Sequence, residues 1–547
     1  MKNRFRALRS LLPAKSDYAQ LKHTWKGDII AGITVGIVAL PLALAFGVSS
    51  GVGAEAGLIT AIVAGLVAAV FGGSNVQVSG PTGAMVVVLA PIVVSHGTGA
   101  VITVSVMAGV IVILAGILRL GRTVGYIPWP VMEGFTVGIG IIIFLQQVPS
   151  ALGVANEGFS TNALVAAFQA ARAADWSQAL LPLAVAAAVA LIMVVLGRIR
   201  PGIPASFIAI IVVTVATALL QLPLPVIGEL PSSLPAPSMP DLSIETMSAL
   251  AGPALAVAAL AAIESLLSAR VAASLSPTGP VNADCELVGQ GLASVAAGFF
   301  GGMPATGAIA RTAVNLRSGA RTRVAAIVHA LALLLVVLLA AQATAMIPLA
   351  ALAGVLMVTA SRMLSPATIR MVIGSSRPSA FVFLLTAVIT VSFDLVMAVL
   401  IGIAVAGFFA LRALSRVSDV SREELPDEPA EGDEQIAVFR VAGALFFGAA
   451  DRIVERIADE EDTEVVILAL SQLHLLDTTG ANNLTEVIST LERRGVTVLL
   501  KGIRSEHRRL LQRLGTLGAL GHPSHVFDDL RSAVDHARAH MRGSAQH

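Results

Sequence analysis

Charge is scarce in this sequence. Its 36 Lys and Arg and 35 Asp and Glu make up 13% of 547 residues, too little to clothe a water-soluble protein of that length. The formal net charge is +1, so no basic excess is available to neutralise nucleic-acid phosphates. A single cysteine, Cys285, excludes an intramolecular disulfide and any cysteine-clustered metal site. No Walker lysine follows a glycine-rich phosphate loop, which argues against ATP-driven work. An enzyme would need a nucleophile converging with a base, or a metal cluster, and the apolar part of the chain shows neither.

What the chain has instead is apolar length: 56% of its residues are hydrophobic, and its mean hydropathy is +0.83. Most of it must sit in lipid. Each spanning helix needs roughly 20 apolar residues. Breaks at Gly, Pro and charged residues divide 28–416 into fourteen segments, two of them short: 28–48, 53–71, 80–95, 100–118, 125–147, 178–197, 203–221, 247–271, 284–301, 306–317, 323–343, 347–364, 378–394 and 396–414. The run from Ile29 to Val48 lacks an A-x-A-like cleavage site ahead of a soluble domain, so it reads as the first spanning helix rather than a signal peptide.

Basic residues give an independent test, because positively charged short loops stay in the cytoplasm. The leader, 1–27, carries Lys2, Arg4, Arg6, Arg9, Lys15, Lys22 and Lys26, which places the N-terminus inside. The other basic clusters follow even-numbered segments: Arg119 with Arg122, Arg198 with Arg200, Arg270, Arg317 with Arg321 and Arg323, Arg370 with Arg377, and Arg412 with Arg416. Two long linkers placed outside hold only Arg172. The pattern predicts an even number of crossings and a cytoplasmic C-terminus at the cell membrane.

After Arg416 the composition turns polar. Residues 417–433 read as a charged linker, and 434–547 as a compact α/β domain, with strands at Glu434–Ala444, Glu464–Leu470 and Gly495–Lys501 and an amphipathic helix at Asn482–Arg494.

Two turns resemble each other: Val78-Ser-Gly-Pro-Thr-Gly-Ala84 and Gly302-Met-Pro-Ala-Thr-Gly-Ala308, each opening a short segment at the matching place of its half. Matched Gly/Pro-interrupted segments are the mark of an inverted-repeat transporter whose half-helices meet in mid-membrane. Two helix N-termini facing each other form an anion site without a buried lysine. Gly83 and Gly307 allow close backbone approach, while Thr82 and Thr306 cap the helices or donate to the anion. Close helix packing is the competing reading of these small residues.

Glu264 lies well inside the eighth segment, where an ionised carboxylate is costly and usually kept for function. Proton coupling is its expected role, with Ser268 one turn further along; a salt-bridged structural carboxylate is the alternative. Arg311 follows the second turn closely enough to hold a carboxylate or sulfate by paired hydrogen bonds, or else to neutralise an acidic neighbour. Glu133, Asp284 and Asp394 lie near segment ends and read as structural.

The combination of Ala39-Leu-Pro-Leu-Ala-Leu-Ala-Phe46, Gly80-Pro-Thr-Gly-Ala84, Glu264-Ser-Leu-Leu-Ser268 and Gly302–Asn315 resembles the sulfate permease (SulP) family of anion transporters, and the C-terminal domain resembles a STAS domain. The resemblance covers almost the whole chain. It implies a polytopic α-helical membrane protein with a seven-plus-seven inverted repeat (28–221 and 247–416), core and gate domains, elevator-like movement and a homodimer. The anion is then expected between the third and tenth segments, near Phe46, Thr82, Gly83, Ala84, Thr306, Gly307, Ala308, Ile309 and Arg311. A sodium-coupled bicarbonate branch has aspartate at position 264 and threonines at 268 and 309, where this chain has Glu264, Ser268 and Ile309, so a proton is the expected coupling ion and sodium the alternative. Leu42 stands where animal members often have glutamine.

The Thr-Gly-Ala-Ile-Ala-Arg311 form is similar to that of bacterial members handling fumarate or succinate. A C4-dicarboxylate symporter is therefore the expectation, with bicarbonate or sulfate as alternatives and no cofactor or metal. Asp477-Thr-Thr-Gly480 is similar to a turn phosphorylated in soluble STAS proteins, so Thr478 or Thr479 either accepts phosphate or caps a helix. An anion sensor signalling through the STAS domain to a cytoplasmic partner, and an uncoupled channel, are readings of other classes.

Overall fold

In lipid no water is available to bond an exposed backbone, so apolar stretches of this length can cross only as helices that satisfy themselves. The computed structural model describes residues 13–18, 20–122, 127–154, 159–160, 162–200, 203–230, 233–275, 281–393, 395–417, 419–426, 428–445 and 463–544. Lys2, Arg4, Arg6, Arg9 and Asp394 lie outside the described residues.

Helices follow the expected segments. In the first half they are α1 (Leu21–Ser49), α2 (Ala54–Phe71, with a π-helical turn at Thr60–Ala64), α3 (Gly83–His96), α4 (Gly99–Ile117), α5 (Trp129–Gln146), α6 (Trp176–Ile199) and α7 (Ala205–Leu219). The second half contains α8 (Ile244–Leu275), α9 (Ala283–Phe299), α10 (Ile309–Arg317), α11 (Arg323–Ala345), α12 (Leu349–Met363), α13 (Arg377–Ser392) and α14 (Leu395–Val417). Among the described residues, eight helices are long and apolar enough to span a membrane. Short helices at Ala163–Ala173 and Pro366–Ser375, in stretches expected to be loops, start with Asn162 and Ser365 side chains capping their first N–H groups.

The packing obeys the repeat. α1 packs on α11 and its counterpart α8 on α4; α9 packs on α4 and its counterpart α2 on α11; α5 packs on α13 and its counterpart α12 on α6. Small residues let these helices approach closely. A Cβ on Gly291 of α9 would lie 2.5 Å from the Gly109 carbonyl oxygen of α4, and one on Gly109 would lie 2.7 Å from that of Gly291.

The chain forms two units, Met1–Ile403 and Ala404–His547, with α14 running from one into the other. The second unit holds a sheet ordered β3 (Asp419–Glu423), β4 (Ile436–Leu445), β5 (Val465–Ala469), β7 (Thr497–Lys501), β8 (Val526–Phe527), with β6 (Leu473–Leu476) also pairing β4. Among the described residues, three helices, α15 (Thr478–Arg493), α16 (Ser505–Arg513) and α17 (Leu530–Ser544), accompany it. β4, β5, β7 and β8 run parallel, and the central β5 is buried along its whole length, as expected for strands covered on both faces. The stretch 417–433, expected to be a linker, contains β3, antiparallel to β4. Its charges made it look like linker, but charge is also how an edge strand discourages further pairing. Val420 is buried there, and Arg440 of β4 pairs with Glu423 at 3.0 Å.

Gly291→Val is expected to destabilise the membrane unit by about 1–3 kcal/mol through overpacking. Gly374→Ala, with no atom within 4 Å of the added carbon, should leave the thermal midpoint unchanged. Thermal unfolding of the two detergent-purified variants checks this; equal midpoints would contradict the close α4–α9 contact.

Candidate functional site

Both glycine-rich turns break their helices in the interior of the membrane unit, and each repairs the other's backbone. The residues before α3 and α10 extend as β1 (Ser79–Gly80) and β2 (Thr306–Gly307), paired antiparallel with Ser79 opposite Gly307 and Gly80 opposite Thr306. The Ala308 N–H donates to the Val78 carbonyl at 2.9 Å. The starts of α3 and α10 therefore lie side by side, and neither carries a side-chain cap on its first N–H groups. Those groups and the positive ends of two helix dipoles are left for a ligand.

Thr82, at the N-cap of α3, and Thr306, two residues before the N-cap Ala308 of α10, turn to a carboxylate instead. Thr82 and Thr306 each place a hydroxyl 2.8 Å from Glu264 Oε2, and the two hydroxyls are 3.0 Å apart. Thr306 has one hydroxyl proton, so it serves either Glu264 or Thr82 at any moment. Glu264, on α8, keeps partial exposure. Ser268, one turn along α8, does not join this cluster. It is fully buried, with its hydroxyl 3.5 Å from that of Thr312, which accepts from the Val78 N–H at 3.0 Å.

Around the turns, Phe46 of α1 lies 3.4 Å from where a Cβ on Gly83 would be, and that carbon would overlap Ile143 of α5. Ala84 and Ala308 are buried, Ile309 is half-buried, and Ala310 is exposed, so the first turn of α10 is open on one side. Arg311 is 2% exposed. Its Nη2 donates to the Pro81 carbonyl, while Nη1 is buried without a protein partner among the described residues. A cavity of about 480 Å³ begins one turn beyond Gly83 on α3, lined among others by Val87, Pro91, Ile142, Gln146, Ala256 and Thr390.

Two polar residues of this site escaped the sequence reading. Gln77, just before β1, packs where a Cβ on Gly307 would go. Its Nε2 donates to Glu286 Oε1 at 2.9 Å and to the Ser265 carbonyl at 3.4 Å, and the Ser265 hydroxyl accepts from the Gly307 N–H at 3.0 Å. Glu286, in the first turn of α9, also accepts from the Gly73 and Ser74 N–H groups at 2.8 and 3.2 Å. A carboxylate at a helix start reads as an ordinary dipole partner, and its burial was not visible in the sequence.

Glu133 and Asp284 sit near the starts of α5 and α9. Glu133 accepts from the Trp129 indole at 3.0 Å and Asp284 from the Gly121 N–H at 3.0 Å. In the second unit, Asp477 caps α15, accepting from the Gly480 N–H at 2.7 Å, and leaves Thr478 and Thr479 exposed at the helix start. Among the described residues no group of three or more His, Cys, Asp or Glu side chains is arranged to hold a metal ion.

Comparison with known proteins meets this geometry. The profile of the sulfate permease family matches residues 25–386, and that of the STAS domain matches 429–533. The relative named "Putative sulfate transporter YvdB" from Bacillus subtilis (strain 168) is 33% identical over 513 residues, 92% of this chain and 96% of its own. Bicarbonate transporter BicA from Picosynechococcus is 31% identical over 519 residues, 89% of this chain and 90% of its own. Among solved structures, the transmembrane domain of a cyanobacterial BicA superposes with a TM-score of 0.60 at 31% identity, covering 70% of this chain and 97% of that one. Murine Solute Carrier 26 family member A9, an anion transporter in its inward-facing state, gives 0.83 at 17% identity over 97% and 94% of the two chains, a likeness of fold. The chain belongs to the sulfate permease family: it is a multi-pass membrane protein of the anion-transporter class, not an enzyme, with a C-terminal STAS domain.

Proposed function

We propose that the chain is a secondary active transporter that carries a small oxyanion together with a proton, the anion at the opposed starts of α3 and α10 and the proton on Glu264. The observation that carries this reading is the position of the Glu264 carboxylate, 2.8 Å from both Thr82 and Thr306. An ionised carboxylate there occupies the positive field of both helix ends and repels an arriving anion. Protonation removes that competitor, so the proton and the anion bind together. The partial exposure of Glu264 lets protons reach it. A sodium site has less support: Ser268 faces Thr312 rather than Glu264, so it adds no oxygen to those of Glu264, Thr82 and Thr306. Through the family resemblance, the same proposal includes elevator-like movement of the core helices against the gate, a homodimer and a cytoplasmic partner of the STAS domain. Cytoplasmic termini are supported by the arginines at the ends of even-numbered helices, such as Arg119, Arg198, Arg270 and Arg317.

Within the oxyanions, the names of YvdB and BicA favour sulfate and bicarbonate, while the Ile309-Ala-Arg311 turn favours a dicarboxylate such as fumarate or succinate. Arg311 weighs on this choice. Its Nη2 is committed to the Pro81 carbonyl, which weakens the two-pronged clamp on which the dicarboxylate reading relied. Sulfate and bicarbonate therefore rank first.

In proteoliposomes, wild-type uptake should accelerate as the outside becomes more acidic than the inside. Glu264→Gln, a permanent mimic of the protonated form, should still bind and exchange the anion but lose concentrative uptake driven by the pH gradient; retention of that uptake would rule out Glu264 as the coupling group. Replacing both threonines, Thr82→Val with Thr306→Val, removes two hydrogen bonds to a charged acceptor, each worth about 1.5–3 kcal/mol. At least a tenfold loss of kcat/KM is expected, and unchanged transport would remove the hydroxyls from the site. Thermal shifts with sulfate, bicarbonate, chloride, fumarate and succinate identify the ligand, since only what binds the folded protein stabilises it. Saturable binding with no flux of any of these anions would favour a sensor over a transporter.

A further inference from the structure

We infer that the C-terminal unit senses acidity: the imidazoles of His522, His525, His536 and His540 form one proton-binding cluster, and charging it releases helix α17 from the sheet. The four come from two places in the chain. His522 and His525 flank the loop leading into β8, and His536 and His540 stand one turn apart on α17. Ring centroids of His522 and His525 are 5.9 Å apart, those of His525 and His536 are 5.4 Å apart, and Phe527 of β8 lies 5.2 Å from His536. His540 Nε2 is 3.1 Å from the Thr497 hydroxyl of β7. The cluster therefore spans the seam between α17 and the β7–β8 edge.

That seam is structural. α17 covers Ile436, Val438, Val465, Ile467 and Leu499 of the sheet with Ala533, Val534 and Ala537, and His536 lies between the last two in sequence. The His525 backbone belongs to the sheet edge, its carbonyl accepting from the Leu500 N–H at 2.8 Å. His525 is 8% exposed, and its Nδ1 has no protein partner among the described residues.

The charges around His525 are unbalanced. His536, His522 and His540 act on it, and among the described residues Glu492 of α15 is the one carboxylate that does. Glu492 is already engaged, accepting from the Val498 and Gly521 N–H groups at 3.1 Å each. Lys501 at the end of β7 donates to Ser471, Arg538 of α17 pairs with Asp433 at 2.8 Å, and Arg542 donates to the Arg538 carbonyl. β5 and β8 contribute no charged residue. Imidazole is the side chain whose charge changes between about pH 5 and 8, so the proton is the ligand this cluster suits.

Burial first, and His536 next, hold His525 below the ordinary histidine value of 6.5. The docked state then binds fewer protons than the released one. Its stability is complete above that ordinary value and is lost as pH falls through it towards the depressed one. Like charges about a ring diameter apart on both sides of the seam push α17 outwards.

Hydrogen exchange of the full-length protein in lipid nanodiscs tests this, comparing about pH 7.5 with about pH 5.5 after correction for intrinsic exchange. The α17 amides should lose protection by roughly tenfold at the lower pH. The double substitution His525→Gln with His536→Gln should flatten this response, and His474→Gln, at an exposed histidine elsewhere in the unit, should preserve it. Equal protection of wild-type α17 at both pH values overturns the proposal, whether or not the double variant folds. A full response in a folded double variant overturns it as well.

Discussion

The pairing of β1 with β2 is the constraint on which the membrane unit depends. Extended backbone inside a bilayer has no water to bond, so a broken helix survives only if another segment supplies its partners. Here the partner is the equivalent break in the other half of the chain. Each half alone would leave polar backbone stranded; together they close a two-stranded ladder and bring two helix starts to one place. The glycines follow from this pairing. Gly307 must leave room for Gln77, and Gly83 for Ile143 and Phe46, so a side chain at either position would push the halves apart.

Around the ladder the same residue type does two different jobs, and the donors tell them apart. Glu286 is almost fully enclosed and accepts from two backbone N–H groups and the Gln77 amide. Such donors cannot follow a change of charge, so Glu286 acts as a fixed clamp that holds the strand entering β1. Among the described residues Glu264 accepts only from threonine hydroxyls, which can turn round and accept a proton bond in their turn. It is also partly exposed. A carboxylate with rotatable partners and access to protons can change state without breaking the fold; one in a rigid cradle cannot.

Much of this was legible in the sequence, for reasons that differ from part to part. The helices could be read because lipid demands about 20 apolar residues per crossing and basic residues mark one side. The opposed turns could be read because Thr82-Gly83-Ala84 and Thr306-Gly307-Ala308 recur at matching positions in a chain otherwise short of polar residues, and Glu264 beside them because it stands alone in an apolar run. Gln77 and Glu286 could not, since their importance lies in burial against segments about 200 residues away, and each looks ordinary in its own window. Ser268 was legible as a polar residue on the right helix but not in its direction: a turn deeper, it meets α10 instead of the carboxylate. The strand β3 was hidden by its own charges, which suit an edge strand and a linker equally well.

Selectivity for one anion has the least trace in the sequence, and the site's construction explains why. Backbone N–H groups and helix dipoles, the donors offered by the starts of α3 and α10, attract any small oxyanion. Among the side chains expected to discriminate, Arg311 spends one terminal nitrogen on the Pro81 carbonyl. In the proposed site, choice among anions then falls to shape: the ring of Phe46 and the branched Ile143 closing on Gly83, and the half-buried Ile309 at the start of α10. Apolar walls discriminate by size and by the cost of desolvation rather than by charge. On that proposal, substitutions at these three positions retune the anion without touching the repeated turns that identify the fold.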